Sequence, residues 1–501
     1  LPDLKLGQLS VKGGLNGPLP EIHGYLMKSP PIRGALDPAL SELQIEQGDA
    51  SLEANLQLPL KDLASRSVEV DVDIKDGILR YADVFDRLTD IEGRLTVKNT
   101  DAYAEGLTGK VLDQPIRFDV APYRDLGVRA NMRIDTTGDA LIEGLGLPLK
   151  RYVSGRTIVT GFLQFPRPGS GNRFWMRYES NLEGLALTLP SPLSKPAERA
   201  TSFAVEARFP EEGRQDWYMQ LGDRMSARMS ASTANDQFRF LNATVQGGSL
   251  DVQPHGGPGL MVQGHFDEVS VDEWLAVNFT DESTAAGGVA FEEFFTGVDV
   301  HVDDFAIIGQ HVAGATVQMT KADQAWQIVI DSETADGTVT VPWDLAGRDR
   351  PIVIQMARLT LFDEERDGGG DPVDPNTVPP LEIRVDDFRA FGINLGKVET
   401  RVEPLPDGFD VPAINASGES FELTGRMRSQ LGGQVDRTTL AVSVNSTDLA
   451  KTLEVAGFAP SVDAKKARFE TDLAWRGGLI PDILAQAECT ARLQLGSGSL
   501  T

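Results

Sequence analysis

At 501 residues the chain exceeds the usual domain of roughly 100–150 residues several times over, so it is either several domains or one elongated repetitive body. Its 74 acidic against 47 basic residues leave a formal net charge of -27, a field that repels phosphate backbones and excludes nucleic acid as an expected partner. A single cysteine, Cys489, excludes an internal disulfide and any cysteine-built zinc cluster, and no run approaches the roughly 18 apolar residues that span a bilayer.

In chain order, the first strong pattern is 68–74, where Val68, Val70, Val72 and Ile74 alternate with Glu69, Asp71 and Asp73. Successive side chains on a strand point to opposite faces, so this run predicts one dry face and one wet face. The same pattern recurs at 116–120 (Ile116, Phe118, Val120), at 128–134 (Val128, Met132, Ile134) and at 203–209 (Phe203, Val205). In the second half it returns with Val298 and Val300, then Trp326, Ile328 and Ile330, then Leu381 and Ile383. Each run reads as a half-solvated antiparallel strand, and the apolar residues named are the candidate lining of one dry surface. Asp76-Gly77, Asp336-Gly337 and Asp407-Gly408 adjoin such runs, and Asp-Gly supplies the positive φ that tight hairpins need. Up-and-down connections follow, against a parallel β-helix.

Helical patterns are few and short. They fall at 139–145, at Ser270-Val271-Asp272-Glu273, which has the Ser-x-x-Glu capping form, and at 446–457, closed by Gly457. Pieces of this size predict local plugs or rim elements. An internal repeat pairs 298–309 with 381–392: both read apolar-x-apolar-x-Val-Asp-Asp-Phe, with Gly309 and Gly392 four residues beyond the Phe. Val302 and Val385 correspond, so the offset is 83 residues, room for about six strands. The expected organisation is 1–270 and 271–501, the latter holding the repeat, with 363–380 as a flexible Gly- and Pro-rich loop or linker.

The fold class is therefore mainly β: a long, twisted, antiparallel sheet with a few short helices. About thirty strands at roughly 4.8 Å would reach on the order of 140 Å, too long to stay flat. Such a sheet either folds into several sandwiches or curls into a trough, and alternation leaves both open.

Motifs for chemistry are absent: there is no HExxH, Walker loop, GxGxxG or GxSxG. Asp303-Asp304 and Asp386-Asp387 are adjacent on their strands, which aims each pair at opposite faces and spoils them as acid and base. His301 and His311 could share a metal with Asp303 only through a hairpin return. The acidic loop of Asp363, Glu364, Glu365, Asp367, Asp371 and Asp374 lacks the spacing of a calcium loop. Six tryptophans, scattered singly, form no sugar platform. No catalytic residue, cofactor or metal is expected.

Three stretches carry a resemblance. Leu147-Pro148-Leu149-Lys150-Arg151-Tyr152-Val153-Ser154-Gly155, running on to Thr160-Gly161-Phe162-Leu163-Gln164-Phe165, is one. Asn181-Leu182-Glu183-Gly184-Leu185-Ala186-Leu187-Thr188-Leu189-Pro190, with Pro192-Leu193-Ser194-Lys195-Pro196, is the second. Asn445-Ser446-Thr447-Asp448-Leu449-Ala450, through Ala456-Gly457-Phe458 to Asp472-Leu473-Ala474-Trp475-Arg476-Gly477, is the third. Together they resemble AsmA-like proteins of the YhdP type. The resemblance implies an elongated β-groove in the periplasm of a Gram-negative cell. It also implies an inner-membrane anchor, an N-terminal helix that this stretch lacks, and contact with both membranes through segments outside it. The implied function is a hydrophobic conduit for phospholipid between inner and outer membranes, with acyl chains as the ligand, outer-membrane lipid homeostasis as the role, and no bond chemistry. The alternative from the residues alone is a structural or adhesive protein of stacked β-sandwiches.

Overall fold

The computed structural model describes residues 8–28, 43–59, 67–81, 85–144, 149–167, 170–211, 213–232, 239–277, 295–307, 310–344, 350–361, 379–390, 392–430, 436–460, 462–476, 487–496 and 498–500. The chain forms two compact units, Leu1–Leu260 with Val277–Val289, and Met261–Ala276 with Ala290–Thr501. The expected linker at 363–380 and the acidic loop within it lie, except for Pro379 and Pro380, outside the described residues.

In the first unit the order is β1 (Gln8–Pro18), α1 (Leu19–Lys28), β2 (Leu43–Pro59), β3 (Ser67–Tyr81), β4 (Phe85–Lys98), β5 (Asp101–Val111), β6 (Gln114–Pro122), β7 (Gly127–Thr137), α2 (Gly138–Gly144), β8 (Val153–Pro166), β9 (Trp175–Ser180), β10 (Leu185–Leu187), β11 (Phe203–Arg208), β12 (Arg214–Leu221), β13 (Met225–Ser232) and β14 (Arg239–Gly247). Each strand from β1 to β9 pairs antiparallel with the next. β9 then pairs with β11, the meander runs on to β14, and β10 lies along β8. Among the described residues no strand of this unit pairs back onto β1, so its sheet is open.

The second unit begins within β15 (Gly259–Ser270) and continues through α3 (Val271–Ala276), β16 (Phe295–Ile307), β17 (Gln310–Ala322), β18 (Ala325–Asp331), β19 (Ala335–Pro342), β20 (Ile352–Leu361), β21 (Leu381–Ala390), β22 (Ile393–Leu405), β23 (Gly408–Ser417), β24 (Phe421–Gln430), β25 (Arg437–Ser446), α4 (Leu449–Val455), β26 (Val462–Ala464), β27 (Ala467–Arg476), β28 (Glu488–Leu495) and β29 (Gly498–Leu500). From β16 to β25, then β27 and β28, the strands pair in sequence. Among the described residues the expected uniform antiparallel order fails once: β20 and β21 are parallel, Ile352 opposite Leu381. A parallel pair needs a connection that returns the length of the strand, about 30 Å here, which no tight turn can supply and a segment as long as 362–380 can.

The two repeat stretches lie fewer strands apart than expected. Val302 lies in β16 and Val385 in β21, an offset of five strands rather than six, because β16 and β17 run to 13 residues each. In both copies the Asp-Asp pair marks an irregularity. Val385 faces Val398 and Phe388 faces Gly396, three residues of β21 spanning two of β22, a β-bulge. In β16 the buried pairs are Val302 with Ala315 and then Phe305 with Val312, a step of three on both strands. Asp303 and Asp304 thus both sit on the wet side, correcting the expectation that they point apart.

Two of the three Asp-Gly pairs sit at bulges. Asp407-Gly408 ends a true hairpin, with Leu405 opposite Gly408. Asp76-Gly77 instead lies inside β3, where three residues of β3 span two of β4 between Ile74 and Gly77, and Asp336-Gly337 lies inside β19 opposite a bulge, where one step of β19 spans two of β20. The positive φ that Asp-Gly makes cheap serves either purpose, and here Asp76 adopts φ 51°. Two-residue hairpins are made by less obvious pairs, Leu112-Asp113 and Asp323-Gln324, all four with positive φ. From β2 to β6 every neighbouring pair carries register shifts. Bulges add twist and bend the strand that holds them, so this part of the sheet is creased.

The three predicted helices form, with α4 capped by Asp448, whose side chain accepts from the Lys451 N–H at 3.2 Å, rather than by Ser446. Ser270 accepts from the Glu273 N–H at 3.3 Å, as its capping form predicts. The helix α1 was not predicted. Its start is Leu19-Pro20-Glu21, with Pro in the first turn where its missing N–H costs nothing, and Lys28 closes the last turn. Leu19, Ile22 and Leu26 form its buried stripe.

Candidate functional site

On the dry face of the first unit, cross-strand pairs line up in rows. Ile116 stands opposite Ile134, Phe118 opposite Met132, and Val120 opposite Ala130. β8 extends the rows with Leu163 opposite Ala130 and Phe165 opposite Val128, and Gly161 of β8 faces Tyr178 of β9. Gly161 is required where it is: a Cβ there would lie 2.3 Å from the Arg177 carbonyl oxygen.

These rows bound a cavity of about 250 Å³ whose lining runs from Leu43 on β2 to Tyr178 on β9. Seven steps of strand pairing separate those two residues, which on a flat sheet would put them on the order of 30 Å apart. That both touch one cavity shows how far the sheet is curled. The resulting trough is apolar through Ile74, Leu79, Leu88, Ile91, Leu95, Leu107 and the rows above.

Polarity is confined to one end. Thr100, Asp101 and Arg167 border the cavity, Arg167 Nη2 lies 3.2 Å from Asp101 Oδ1, and Arg167 Nε is buried without a hydrogen-bond partner. Besides this pair, Tyr178 is the titratable group of the lining, and burial pushes its phenol up to about 12.

The expected lining residues fall into distinct places. Ile74, Ile116, Phe118, Val120, Val128, Met132 and Ile134 border the cavity. Val68, Val70 and Val72 do not: they pack with Leu52 and Val97 beneath Leu19, Ile22 and Leu26 of α1, and Val70 is 1% exposed. Val205 is buried opposite Tyr178, whereas Phe203 borders a separate polar pocket with Arg156, Arg177 and Glu179. In the second unit Val300 and Ile330 are buried on either side of Val317, and Ile328 stands beside Met319. Val298, also opposite Met319, is half-buried. Trp326 is buried against Phe295 and Trp343, with ring centroids at 5.6 and 6.2 Å. Leu381 and Ile383 are half-buried beside Ile352 and Ile354 in the parallel register.

Sequence patterning missed Leu43, Leu79, Leu88, Ile91, Leu95 and Leu107. On β4 the residues facing the cavity are Leu88, Ile91, Leu95 and Val97, and the bulges of that strand break the period of two. A search for alternation interrupted at positive-φ Asp or Gly, such as Asp90 and Gly93, would have found them.

The wet face carries cross-strand ion pairs. Arg94 makes two 2.7 Å hydrogen bonds to Asp73 and holds that carboxyl below its usual range. Lys98 pairs with Glu69 at 2.8 Å and Arg156 with Asp135 at 3.0 Å. Both partners of each pair are well exposed, so their individual effect is small. His311 does not join His301; it lies 2.8 Å from Asp304. Among the described residues no helix is long and apolar enough to cross a membrane.

A family model described as YhdP protein matches residues 1–501. No curated protein and no solved structure matches.

Proposed function

The chain belongs to the YhdP family, and from that premise, together with the trough, we propose that the protein is a hydrophobic conduit that carries phospholipid acyl chains across the periplasm between inner and outer membranes. The observation that carries this reading is the single apolar cavity lined by residues of eight successive strands, β2 to β9. Each methylene exposed to water costs roughly 0.8 kcal/mol, so a lipid with two long chains needs on the order of 20 kcal/mol of shelter to leave a bilayer. Contacts from Val, Ile, Leu, Phe and Met offer part of that shelter without direction, which lets a chain slide. The Asp101–Arg167 pair bordering the cavity, with both side chains partly exposed, suits a headgroup that stays in water.

No step of bond chemistry is part of this proposal. The family is envelope-associated, and anchoring at the inner membrane is part of the same proposal. Stacked sandwiches are disfavoured for the first unit, because its dry face is covered in part by α1 and elsewhere borders a cavity.

The test is lipid extraction and mass spectrometry of the purified chain beside its Ile134→Asp variant. Phospholipid bound to the parent and reduced severalfold in a folded variant supports the conduit; a parent that carries none after extraction from envelope membranes removes it.

A further inference from the structure

The wet face of the second unit holds a convergence of ligating groups that the trough does not use. His301 and Asp303 stand two apart on β16, hence on one face, and β15 brings His265 against them. His265 Nε2 lies 2.8 Å from Asp303 Oδ1, His301 Nε2 lies 3.9 Å from the same oxygen, and the two imidazole centroids are 5.5 Å apart. One ligand atom from each of the three lies within 4.8 Å of the others, and among the described residues no other trio of His, Cys, Asp or Glu converges so.

Their surroundings favour coordination over simple pairing. Thr316 on β17 stands directly opposite His301, and its Oγ1 is 3.3 Å from His301 Nδ1. A proton shared there leaves the Nε2 lone pair facing Asp303, the arrangement by which an outer partner fixes the tautomer of a metal-binding imidazole. The three-residue step across Asp303-Asp304 adds a second effect. It directs Asp304 to His311, at 2.8 Å, and leaves Asp303 to the other two histidines. Side-chain exposures of 40% for His265, 49% for His301 and 56% for Asp303 leave the trio open to ions and water.

We propose that His265, His301 and Asp303 bind a divalent transition-metal ion. Two imidazoles and one carboxylate suit zinc, cobalt, nickel or copper, whereas calcium and magnesium take oxygen ligands. Metal–ligand bonds of about 2.0–2.2 Å require the three atoms to draw in by roughly an ångström, within reach of side-chain rotation at exposed positions. Water completes the coordination. The ion ties β15 to β16 and stabilises the folded unit by mass action.

The experiment is calorimetric titration of the untagged full chain with Zn²⁺, with visible absorption of the Co²⁺ form as a second readout. The expected result is one site that raises the melting temperature, is weakened at least tenfold by His265→Ala, His301→Ala or Asp303→Asn, and is weakened about tenfold by Thr316→Val. His311→Ala and Cys489→Ser leave it unchanged, and circular dichroism verifies that each variant is folded. Absence of binding at millimolar Zn²⁺ overturns the proposal. So does binding that survives His265→Ala and His301→Ala, or that disappears with Cys489→Ser.

Discussion

Two stretches of the first unit share a pattern and meet different fates. Val68, Val70 and Val72 on β3 alternate as regularly as Ile116, Phe118 and Val120 on β6. The first set is sealed beneath α1, while the second borders the cavity with Met132 and Ile134 of β7. Alternation therefore identifies a dry face, and only what lies above that face decides whether it is sealed or borders a cavity. In one region a ten-residue helix supplies the cover; in the other the creased sheet bends around space.

The sharpest way to break this contrast is to put the same charge into both regions. Val70→Asp buries a carboxylate under α1 and should cost about 3–5 kcal/mol or more, read as a large drop in the urea midpoint of the first unit. Ile22→Ala or Leu26→Ala leaves a void beneath the helix and should cost about 2–4 kcal/mol with little change in bound lipid. Ile134→Asp places its charge beside open space, so the expected loss of stability is about 1 kcal/mol while lipid content falls severalfold. Equal destabilisation by Val70→Asp and Ile134→Asp would mean that both faces are core.

Two titrations refine the picture with smaller effects. Burial raises the folded pKa of Tyr178 to about 12, above the ordinary phenol value of about 10. Its contribution to stability is thus complete below pH 10 and lost as pH rises towards 12. A difference titration of tyrosinate absorbance against Tyr178→Phe should show this late ionisation, and an ordinary value would mean that water fills the trough. On the wet face, Asp73 is held low by its hydrogen bonds from Arg94. The small stabilisation removed by Arg94→Gln should be present at neutral pH and vanish as pH falls through the depressed Asp73 value, visible as converging melting curves in acid.

Much of the fold was legible because period-two writing and short capping motifs are local signals: strands at 116–120, 128–134 and 326–330 and the helices after Ser270 and Asp448 follow from neighbouring residues alone. Three features were not. Asp-Gly serves hairpin and bulge alike, so Asp76-Gly77 could not reveal a crease. The β20–β21 parallel pairing depends on a partner distant in sequence. The cover over Val70 comes from α1, whose residues 19–28 carry a weak helical signature broken by Gly24. The trough's lining was half visible for the same reason, since Leu88, Ile91 and Leu95 follow bulged spacing.

The most direct test places a photoreactive amino acid at Ile134 and, separately, at Val70, and irradiates the protein in cell envelopes. Crosslinks to phospholipid from position 134, and only to α1 from position 70, are the predicted result. Crosslinks from position 134 to protein alone, with no lipid adduct, would contradict the conduit.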